Sequence, residues 1–319
     1  MLIKFDDKLA FHERKNDVLT IGELLIDMIS AEYSDSFECS AYNKHFGGSP
    51  ANIAMNVKKL GINSLIASAV GDDGLGKFLI NHVHDAGLET SLIQKVDYST
   101  SMVMVTKSKS TPVPIFYREA DYHVSYTSEL EEAIRNSKIV HFSCWPISRM
   151  PARKTVEKVM ETAKENDTLA CFDPNYHPMI WEKGEDGVQY VKSIISKVDI
   201  VKPSEDDAER LFGKDTHENQ IAKFLGLGAK LVVMTLGSEG AIASNGWETV
   251  RFSTMASEVV DTTGSGDAFW SGFYAAAVKG YTIREALYLG FGVSAYKLKY
   301  TGAVANLPNL AVIKELYDL

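Results

Sequence analysis

Short apolar runs alternate along the chain with segments that have helical periodicity. The strand-like runs lie at 17–29, 63–71, 138–145, 168–175, 198–204 and 230–237. The helical segments lie at 49–61, 151–166, 186–196, 205–212, 218–226 and 267–301. Nearly continuous apolar strands separated by helices are typical of a parallel sheet with helices on both faces. The pattern therefore predicts an α/β fold with a mostly parallel central sheet.

Two stretches depart from this alternation. Residues 30–46 and 99–121 have strand character with alternating polar positions, and neither contains a helix between its halves. We expect them to form a small β-sheet that projects as a lid near the end of the first strand, where ligands bind in open α/β sheets. No linker between separate folding units is visible, so residues 1–319 are expected to form one domain.

Local signals predict where two helices begin. Ser49 is expected to cap the helix at 49–61, Pro50 suits its first turn, and Gly61 suits its end. Thr282 and Glu285 have the spacing of a capping box ahead of a later apolar run.

Composition narrows the classes of function. The chain has 33 Lys and Arg against 42 Asp and Glu, a formal net charge of −9. Nucleic-acid-binding proteins usually carry a basic face, so no nucleic-acid partner is expected. The three cysteines form no C-x-x-C pair, which favours reduced thiols in a reducing compartment. The chain start has no secretory pattern, and no apolar run is long enough to span a bilayer. We therefore expect a cytoplasmic protein without a membrane partner.

The sharpest chemical feature is the sequence DTTGSGDAFWSGF at 261–273. Gly264, Ser265 and Gly266 predict a tight turn that opens into a helix, whose free N–H groups and dipole suit an anion. Asp267 stands at the start of that helix. A carboxylate repels anions, so its presence here indicates a proton acceptor for an attacking hydroxyl, as in phosphoryl transfer. The residues alone leave a second interpretation open, in which Asp267 is an ordinary acid in a first helical turn.

This segment closely resembles the second signature of the PfkB (ribokinase) family of carbohydrate kinases, D-T-x-G-[AS]-G-D-x-F. The sequence GGSPANIAMNVKKLG at 47–61 resembles the first signature. Further family landmarks occur in the expected order, namely GELLID (22–27), GDDGLG (71–76), FDPN (172–175), PSEDDAE (203–209) and TLGSEG (235–240). The resemblance covers nearly the whole chain. It implies a ribokinase-like three-layer αβα sandwich with a small β-sheet lid, and ATP-dependent phosphorylation of a sugar with Mg²⁺ as cofactor.

The resemblance also implies a role for each matching position. Asp267 is expected to be the catalytic base, next to an anion hole formed by Gly264, Ser265 and Gly266. The residues expected to contact the sugar, besides Asp267, are Asp27, Gly47, Gly48, Asn52, Phe116, Arg118 and Asn175. Those expected to bind the nucleotide are Ser204, Thr235, Gly237, Ser238, Gly240, Gly264, Gly266, Gly302, Ala303 and Asn306.

Metal binding is expected at two places. Ser204 and Asp207 replace the Asn and Glu of the family's N-x-x-E element, and Asp207 is expected to hold Mg²⁺ through water, because hard cations prefer oxygen ligands. A Ser-x-x-Asp sequence ahead of a helix is also typical of a helix cap, so both interpretations stay open. Asp261 and Thr263 match positions of a monovalent-cation site in relatives, which makes K⁺ a candidate cofactor.

The segments GGSPANIA and FYREAD resemble fructokinases more than nucleoside kinases, so fructose is the expected sugar. His177 stands where sugar-acid kinases and many fructokinases have Arg, and the missing guanidinium favours a neutral hexose. Open alternatives are a kinase of 2-keto-3-deoxygluconate or deoxyketogluconate, a ribokinase, a nucleoside kinase and a non-catalytic sugar or nucleotide sensor. Because unpaired strand edges invite partners, the sequence also predicts a homodimer formed through the lid.

Overall fold

The computed structural model of the protein describes residues 3–33, 37–107 and 114–319. The strands are β1 (Asn16–Ile21), β2 (Leu25–Tyr33), β3 (Tyr42–Gly47), β4 (Ser64–Gly71), β5 (Ile93–Val96), β6 (Met102–Lys107), β7 (Ile115–Tyr117), β8 (Ser137–Ser143), β9 (Leu169–Asp173), β10 (Ile200–Val201), β11 (Leu231–Thr235), β12 (Ala241–Ser244) and β13 (Thr249–Phe252). The α-helices are α1 (Ser49–Lys59), α2 (Gly74–Asp85), α3 (Ser128–Arg135), α4 (Cys144–Ile147), α5 (Ala152–Glu165), α6 (Gly187–Ile195), α7 (Glu205–Phe212), α8 (His217–Gly226), α9 (Ser265–Val278), α10 (Ile283–Lys297) and α11 (Leu310–Leu316).

The main sheet has nine strands in the order β13-β12-β11-β10-β9-β8-β1-β4-β5. The strands from β11 to β5 in this order run parallel, whereas β12 and β13 pair antiparallel at one edge. Apolar side chains of α1, α9, α10 and α11 pack on one face, and those of α3, α5, α6, α7 and α8 pack on the other. This arrangement confirms the predicted three-layer αβα fold. It also brings the carboxyl ends of the parallel strands to one edge, where ligands bind in such folds.

A second sheet has four strands in the order β3-β2-β6-β7. Asp27 on β2 is paired with Val103 on β6, and Val103 is paired with Phe116 on β7. Because directly paired residues point to the same side of a sheet, Asp27 and Phe116 share one face. Of the stretches expected to form the lid, residues 34–36 and 108–113 lie outside the described residues.

The prediction of one strand at 17–29 is wrong, because the chain passes there from one sheet to the other. β1 belongs to the main sheet and β2 to the small sheet, and residues 22–24 connect them. Gly22 has φ 151°, and a Cβ on it would lie 2.9 Å from Cγ of Pro50. Both strands and the connection are buried at this point, so the apolar run continues through the break.

The start of α1 also differs from the prediction. Gly48 occupies the N-cap position with φ 114°, and no side chain caps the helix. Ser49 instead donates a hydrogen bond from Oγ to a carboxylate oxygen of Asp267, at 2.6 Å. The predicted capping box of Thr282 and Glu285 is confirmed at the start of α10.

None of the helices within residues 3–33, 37–107 and 114–319 is both long and apolar enough to cross a bilayer.

Candidate active site

Asp267 lies in the first turn of α9 and faces the N-terminal part of α1. Its Oδ1 accepts the hydrogen bond from Ser49 Oγ, and its Oδ2 accepts one from Asn52 Nδ2 at 3.0 Å. Asp267 remains partly accessible to solvent. The two predicted signature segments, 47–61 and 261–273, therefore meet at this carboxylate.

The turn before Asp267 has the backbone that its glycines predicted. Gly264 is the N-cap of α9, with φ 74° in the left-handed region, and no side chain caps this helix. A Cβ on Gly264 would lie 2.7 Å from Cα of Ala303, so the turn packs directly against the backbone of the last loop. The first N–H groups of a helix have no intrahelical acceptor, and a helix without a side-chain cap leaves them available for an anion.

Burial raises the pKa of Asp267 above its ordinary value. The hydrogen bonds from Ser49 and Asn52 act in the opposite direction, because they stabilise the carboxylate. The nearby Asp173 carboxylate raises the pKa further, and the ammonium of Lys202 lowers it. A carboxylate with a raised pKa is a stronger proton acceptor, which suits a base for a sugar hydroxyl.

Lys202 and Asp173 form a buried ion pair beside the turn, and sequence reasoning missed it. Lys202 Nζ lies 2.9 Å from Oδ2 of Asp173, and this oxygen also accepts a hydrogen bond from Trp270 Nε1 at 2.8 Å. A Cβ on Gly266 would lie 3.4 Å from Lys202 Nζ. The ammonium therefore borders the turn in which the resemblance predicts the anion hole. The signal was a lysine inside an otherwise apolar strand run, VDIVKPS.

The predicted sugar contacts at the amino-terminal end of α1 come together around Asp27. Burial raises the pKa of Asp27 to about 7. A Cβ on Gly47 would lie 2.7 Å from Cγ of Asp27, so any other residue at position 47 would collide with this carboxylate. A Cβ on Gly48 would collide with the backbone of Glu23. Asn52 Oδ1 is buried and has no hydrogen-bond partner among the described residues, so it is available to a sugar hydroxyl.

Aromatic side chains flank this face of the small sheet. Phe116 packs edge to face on Trp145, with 5.4 Å between ring centroids, and on His177, with 5.5 Å. Burial and the charge of Arg210 lower the pKa of His177. Asn175 is exposed with φ 37°, two residues beyond Asp173 at the carboxyl end of β9.

Arg118 is buried, and its hydrogen bonds are with the protein. Nε and Nη2 donate to Oδ2 of Asp121 at 2.9 and 2.6 Å. Nη1 donates to Ser148 Oγ and to a backbone carbonyl, and Nη2 also donates to the carbonyl of Trp145. These bonds use all five N–H donors of a guanidinium. The guanidinium of Arg118 is thus fully engaged by the protein, and the sugar contact expected from the sequence stays a prediction.

Glu23, in the connection between β1 and β2, is a second buried carboxyl that sequence reasoning missed. Its Oε1 accepts a hydrogen bond from the N–H of Ser49 at 3.1 Å. Its Oε2 is buried without a hydrogen-bond partner within the described ranges. Burial raises the pKa of Glu23 to about 8, so the group is largely protonated at neutral pH.

Several predicted nucleotide residues lie at the carboxyl edge of the main sheet. Thr235 ends β11 and bridges to Ser204, and Gly237–Gly240 form the following turn, with φ 54° at Gly237 and φ 93° at Gly240. Ser238 lies within that turn. Gly302 donates its N–H to Asp261 Oδ2 at 2.7 Å. Asn306 is exposed in the same C-terminal loop.

Asp207 forms the capping box that the sequence left open as an alternative. Its Oδ2 accepts hydrogen bonds from the N–H and the hydroxyl of Ser204, and its Oδ1 accepts one from the N–H of Tyr176 at 2.6 Å. Both carboxylate oxygens are therefore engaged by the protein. Across the part of the chain that the structure describes, no cluster of three or more His, Cys, Asp or Glu could hold a metal ion. The Mg²⁺ role of Asp207 stays a prediction.

A cavity of about 720 Å³ lies at the opposite edge of the main sheet. Thr168, Asp199 and Lys230 line it next to the amino-terminal ends of β9, β10 and β11. None of the residues predicted for sugar or nucleotide lines this cavity. The chemical groups described above, and not this cavity, define the candidate site.

Comparison with known proteins gives a consistent class. Residues 15–310 match the model of the pfkB family carbohydrate kinases. An "ATP-dependent 6-phosphofructokinase" of Thermoanaerobacterium thermosaccharolyticum is 63% identical over 318 residues, with 100% of this chain and 99% of that protein covered. A "5-dehydro-2-deoxygluconokinase" of Clostridium botulinum is 28% identical, with 95% and 93% covered.

Solved structures of similar proteins match most of this chain. The fructokinase of Halothermothrix orenii superposes with a TM-score of 0.78 at 42% identity, covering 88% of this chain and 99% of that chain. A putative ribokinase II from E. coli in complex with ATP and Mg²⁺ superposes with a TM-score of 0.81 at 25% identity, covering 95% and 99%.

The chain belongs to the pfkB family of carbohydrate kinases. It is a sugar kinase, as the sequence predicted.

Proposed function

We propose that the protein transfers the γ-phosphoryl group of ATP to a hydroxyl of a fructose-type sugar, with Asp267 as the base. The observation that carries this proposal is the position of the Asp267 carboxylate. It lies at the uncapped amino terminus of α9 and within hydrogen-bond distance of Ser49 and Asn52. A hydroxyl bound beside Asn52 would lose its proton to Asp267 as it attacks phosphorus. The N–H groups of the turn would stabilise the charge on the transferred phosphoryl group.

MgATP is the proposed phosphoryl donor. ATP and Mg²⁺ are bound in the structure of the putative ribokinase II from E. coli, which is similar to this chain. In this chain the turn at 237–240, the turn at 264–267 and the loop at 302–306 are the proposed nucleotide site. Mg²⁺ would supply positive charge to the phosphates when bound, and Asp207 Oδ1, which accepts only one hydrogen bond, could contact it through water.

Fructose 6-phosphate is the first candidate for the sugar, because the relative with 63% identity over its whole length is named a 6-phosphofructokinase. Free fructose, the sugar expected from the sequence, is the second candidate. It is favoured by the 42% identical fructokinase and by Asn52 Oδ1, which is buried without a partner among the described residues and could accept a hydrogen bond from a sugar hydroxyl. The 28% identity to a 5-dehydro-2-deoxygluconokinase supports a sugar acid less strongly.

A direct comparison of sugars tests this proposal. Release of ADP is measured with the same enzyme preparation on fructose 6-phosphate, fructose, ribose, deoxygluconate derivatives and nucleosides. We expect the highest kcat/KM with fructose 6-phosphate. A highest value with fructose would select the second candidate, and a highest value with a sugar acid would contradict both. ATP binding without sugar-dependent ADP release would indicate a sensor that does not catalyse.

The small sheet is the proposed lid over the sugar. Asp27 and Phe116 share its inner face, and closure over the sugar would exclude water, so that phosphate passes to the sugar and not to hydrolysis.

The same sheet is the proposed surface of a homodimer. On its other face Ile115 and Tyr117 pair with Met104 and Met102, and they are 37% and 51% exposed. Exposed apolar side chains next to a strand edge are typical of a surface that pairs with a second copy.

A further inference from the structure

Lys297 is a buried lysine whose ammonium lies against the backbone of the catalytic segment. It is the last residue of α10 and has no exposed surface. Its Nζ donates a hydrogen bond to the carbonyl oxygen of Asp261 at 2.8 Å. Since a fully buried ammonium is costly unless it is paired, this contact indicates a requirement for positive charge at that position.

The surrounding residues supply the compensating negative charge. Burial lowers the pKa of Lys297, and the carboxylates of Asp261 and Asp267 act in the opposite direction because they stabilise the ammonium. The oxygens of Asp261 accept hydrogen bonds from the N–H groups of Thr263, at 2.9 Å, and Gly302, at 2.7 Å. The carboxylate of Asp261 thus links the start of the turn to the C-terminal loop. The backbone carbonyl of the same residue contacts the ammonium of Lys297.

α10 holds the catalytic turn at both ends. One helical turn before Lys297, Ser294 Oγ donates to the carbonyl of Ser265 at 3.0 Å. Because a peptide group is planar and trans, a donor that fixes a carbonyl also directs the N–H of that peptide the opposite way. The ammonium of Lys297 on the Asp261 carbonyl and the hydroxyl of Ser294 on the Ser265 carbonyl therefore orient the turn whose N–H groups would face the phosphoryl group.

The resemblance to the PfkB family made Asp261 and Thr263 candidate ligands of K⁺. We propose that the ammonium of Lys297 takes the place of this monovalent cation, so that the enzyme does not need K⁺. This inference rests on the proposed kinase function, and it makes Lys297 a positioning residue of the anion turn.

The first test measures the wild-type enzyme in buffers that contain only K⁺, only Na⁺ or only tetramethylammonium. We expect the same kcat for sugar-dependent ADP release in all three, and the same Tm for the protein with ATP analogue bound. An enzyme activated several-fold by K⁺ over tetramethylammonium would overturn the proposal. The comparison holds for whichever sugar is phosphorylated, so a different substrate would correct the proposed function and leave this inference standing.

The second test uses Lys297→Met, with Lys279→Met as the matched control. Lys279 Nζ also donates to a backbone carbonyl, that of Leu60, at 2.7 Å, but it lies at the exposed end of α9. We expect Lys297→Met to lower kcat by about 10- to 100-fold, the usual effect of losing a group that orients a site. K⁺ or NH₄⁺ should restore a large part of this loss and raise the Tm of this variant, whereas the control should respond to neither.

Cation rescue separates this role from simple packing, because a merely structural lysine would not be replaced by K⁺. A folded Lys297→Met protein that binds ATP and gains neither rate nor Tm from K⁺ or NH₄⁺ would overturn the proposal. If the methionine variant does not fold, Lys297→Gln replaces it in the same titration, and the wild-type comparison still decides.

Discussion

At the scale of single residues, two carboxylates of the candidate site differ in the hydrogen bonds that they accept and in their exposure to solvent. Each oxygen of Asp267 accepts one hydrogen bond from a side chain, and the residue is partly accessible to solvent, whereas Asp207 is buried and accepts three hydrogen bonds from Ser204 and Tyr176. The first arrangement leaves a carboxylate able to accept a further proton. The second fixes a helix end.

Asp267→Asn removes the proposed proton acceptor and keeps the shape of the side chain. We expect kcat to fall by about 10²- to 10⁴-fold, the usual contribution of a general base, with ATP binding little changed. Initial rates and ATP titration measure the two effects, and Asp206→Asn in the exposed first turn of α7 is the control. A kcat near that of the wild type would contradict the assignment of the base.

Glu23 makes a prediction about pH and stability. Its pKa is about 8 in the folded protein and 4.5 ordinarily, so folding favours the protonated form. Stability from this group is complete below pH 4.5 and is lost as the pH rises through 8, by at most about 1.4 kcal/mol per pH unit. Glu23→Gln should therefore be more stable than the wild type at pH 9, and the difference should shrink towards pH 5.

Urea unfolding at pH 5, 7 and 9 checks this expectation, with exposed Glu13→Gln as the control. A constant difference between Glu23→Gln and the wild type across this range would show that Glu23 does not titrate as proposed.

Residue motifs predicted the backbone turn at Gly264 and the start of α9, because glycine spacing and a helix start are local properties of the chain. Lys202, Lys297 and Glu23 were missed for the opposite reason. Each is a charged residue in or beside an apolar segment, and what makes it significant is a partner far away in sequence, such as the carbonyl of Asp261 for Lys297. The helical spacing of Gly290, Val293 and Lys297 was a usable signal, since it puts the lysine on the buried stripe of α10.

At the scale of elements, one buried network joins the small sheet to the main body. Asp121 accepts hydrogen bonds from Arg118, from Trp145 Nε1 at 2.6 Å and from Ser101 Oγ at 2.5 Å. Trp145 in turn packs on Phe116. The network therefore sets the position of the aromatic side chains that face the proposed sugar.

Arg118→Met leaves the Asp121 carboxylate buried without its cation. We expect it to lower the free energy of unfolding by about 3–5 kcal/mol and to raise the KM for the sugar. Arg135→Met is the matched control, because the Arg135–Glu131 pair is exposed and should contribute under about 1 kcal/mol. Urea titration measures both variants, and equal losses would contradict the role given to Arg118.

Element boundaries were predicted where apolar runs were separated by polar turns, as for α5, α7 and α8. The prediction failed at 17–29 because both strands and the connection between them are buried, and only Gly22 and Glu23 interrupt the apolar residues there. It also omitted α2, whose first turn contains Gly74 and Gly76 and therefore has little helical propensity. Tertiary packing determines both the break between β1 and β2 and the formation of α2. A single sequence carries little information on tertiary packing.

At the scale of the whole molecule, the parallel sheet gathers groups from distant segments at one edge, and the small sheet stands over that edge. The alternation of buried strands and helices follows from the need to cover both faces of a parallel sheet, so the layered fold was predictable, whereas the order of the strands was not predicted. The association of two copies depends on which side chains are exposed on the folded surface, and local sequence patterns predict this less well than they predict strands and helices.

The proposed homodimer predicts a solution mass of twice the chain mass of 35.2 kDa. Light scattering at assay concentration measures it. Ile115→Asp combined with Tyr117→Asp should shift the mass to that of one chain, because charge on an apolar interface is costly. Trp247→Asp is the control, since this side chain is 83% exposed on the β12–β13 connection. A monomeric wild type would exclude the homodimer at that concentration.

With the proposed roles of Asn52 and Asp267, the hydrogen bond between them would make both the choice of sugar and the strength of the base depend on Asn52. A substitution of Asn52 that admits a different sugar also removes a donor that holds down the proton affinity of the base. Changes of specificity by this route should carry a shifted pH optimum with them. Variants that broaden the range of sugars without that shift are therefore to be sought on the small sheet, at Phe116, which is proposed to cover the sugar and lies on a different element from Asp267.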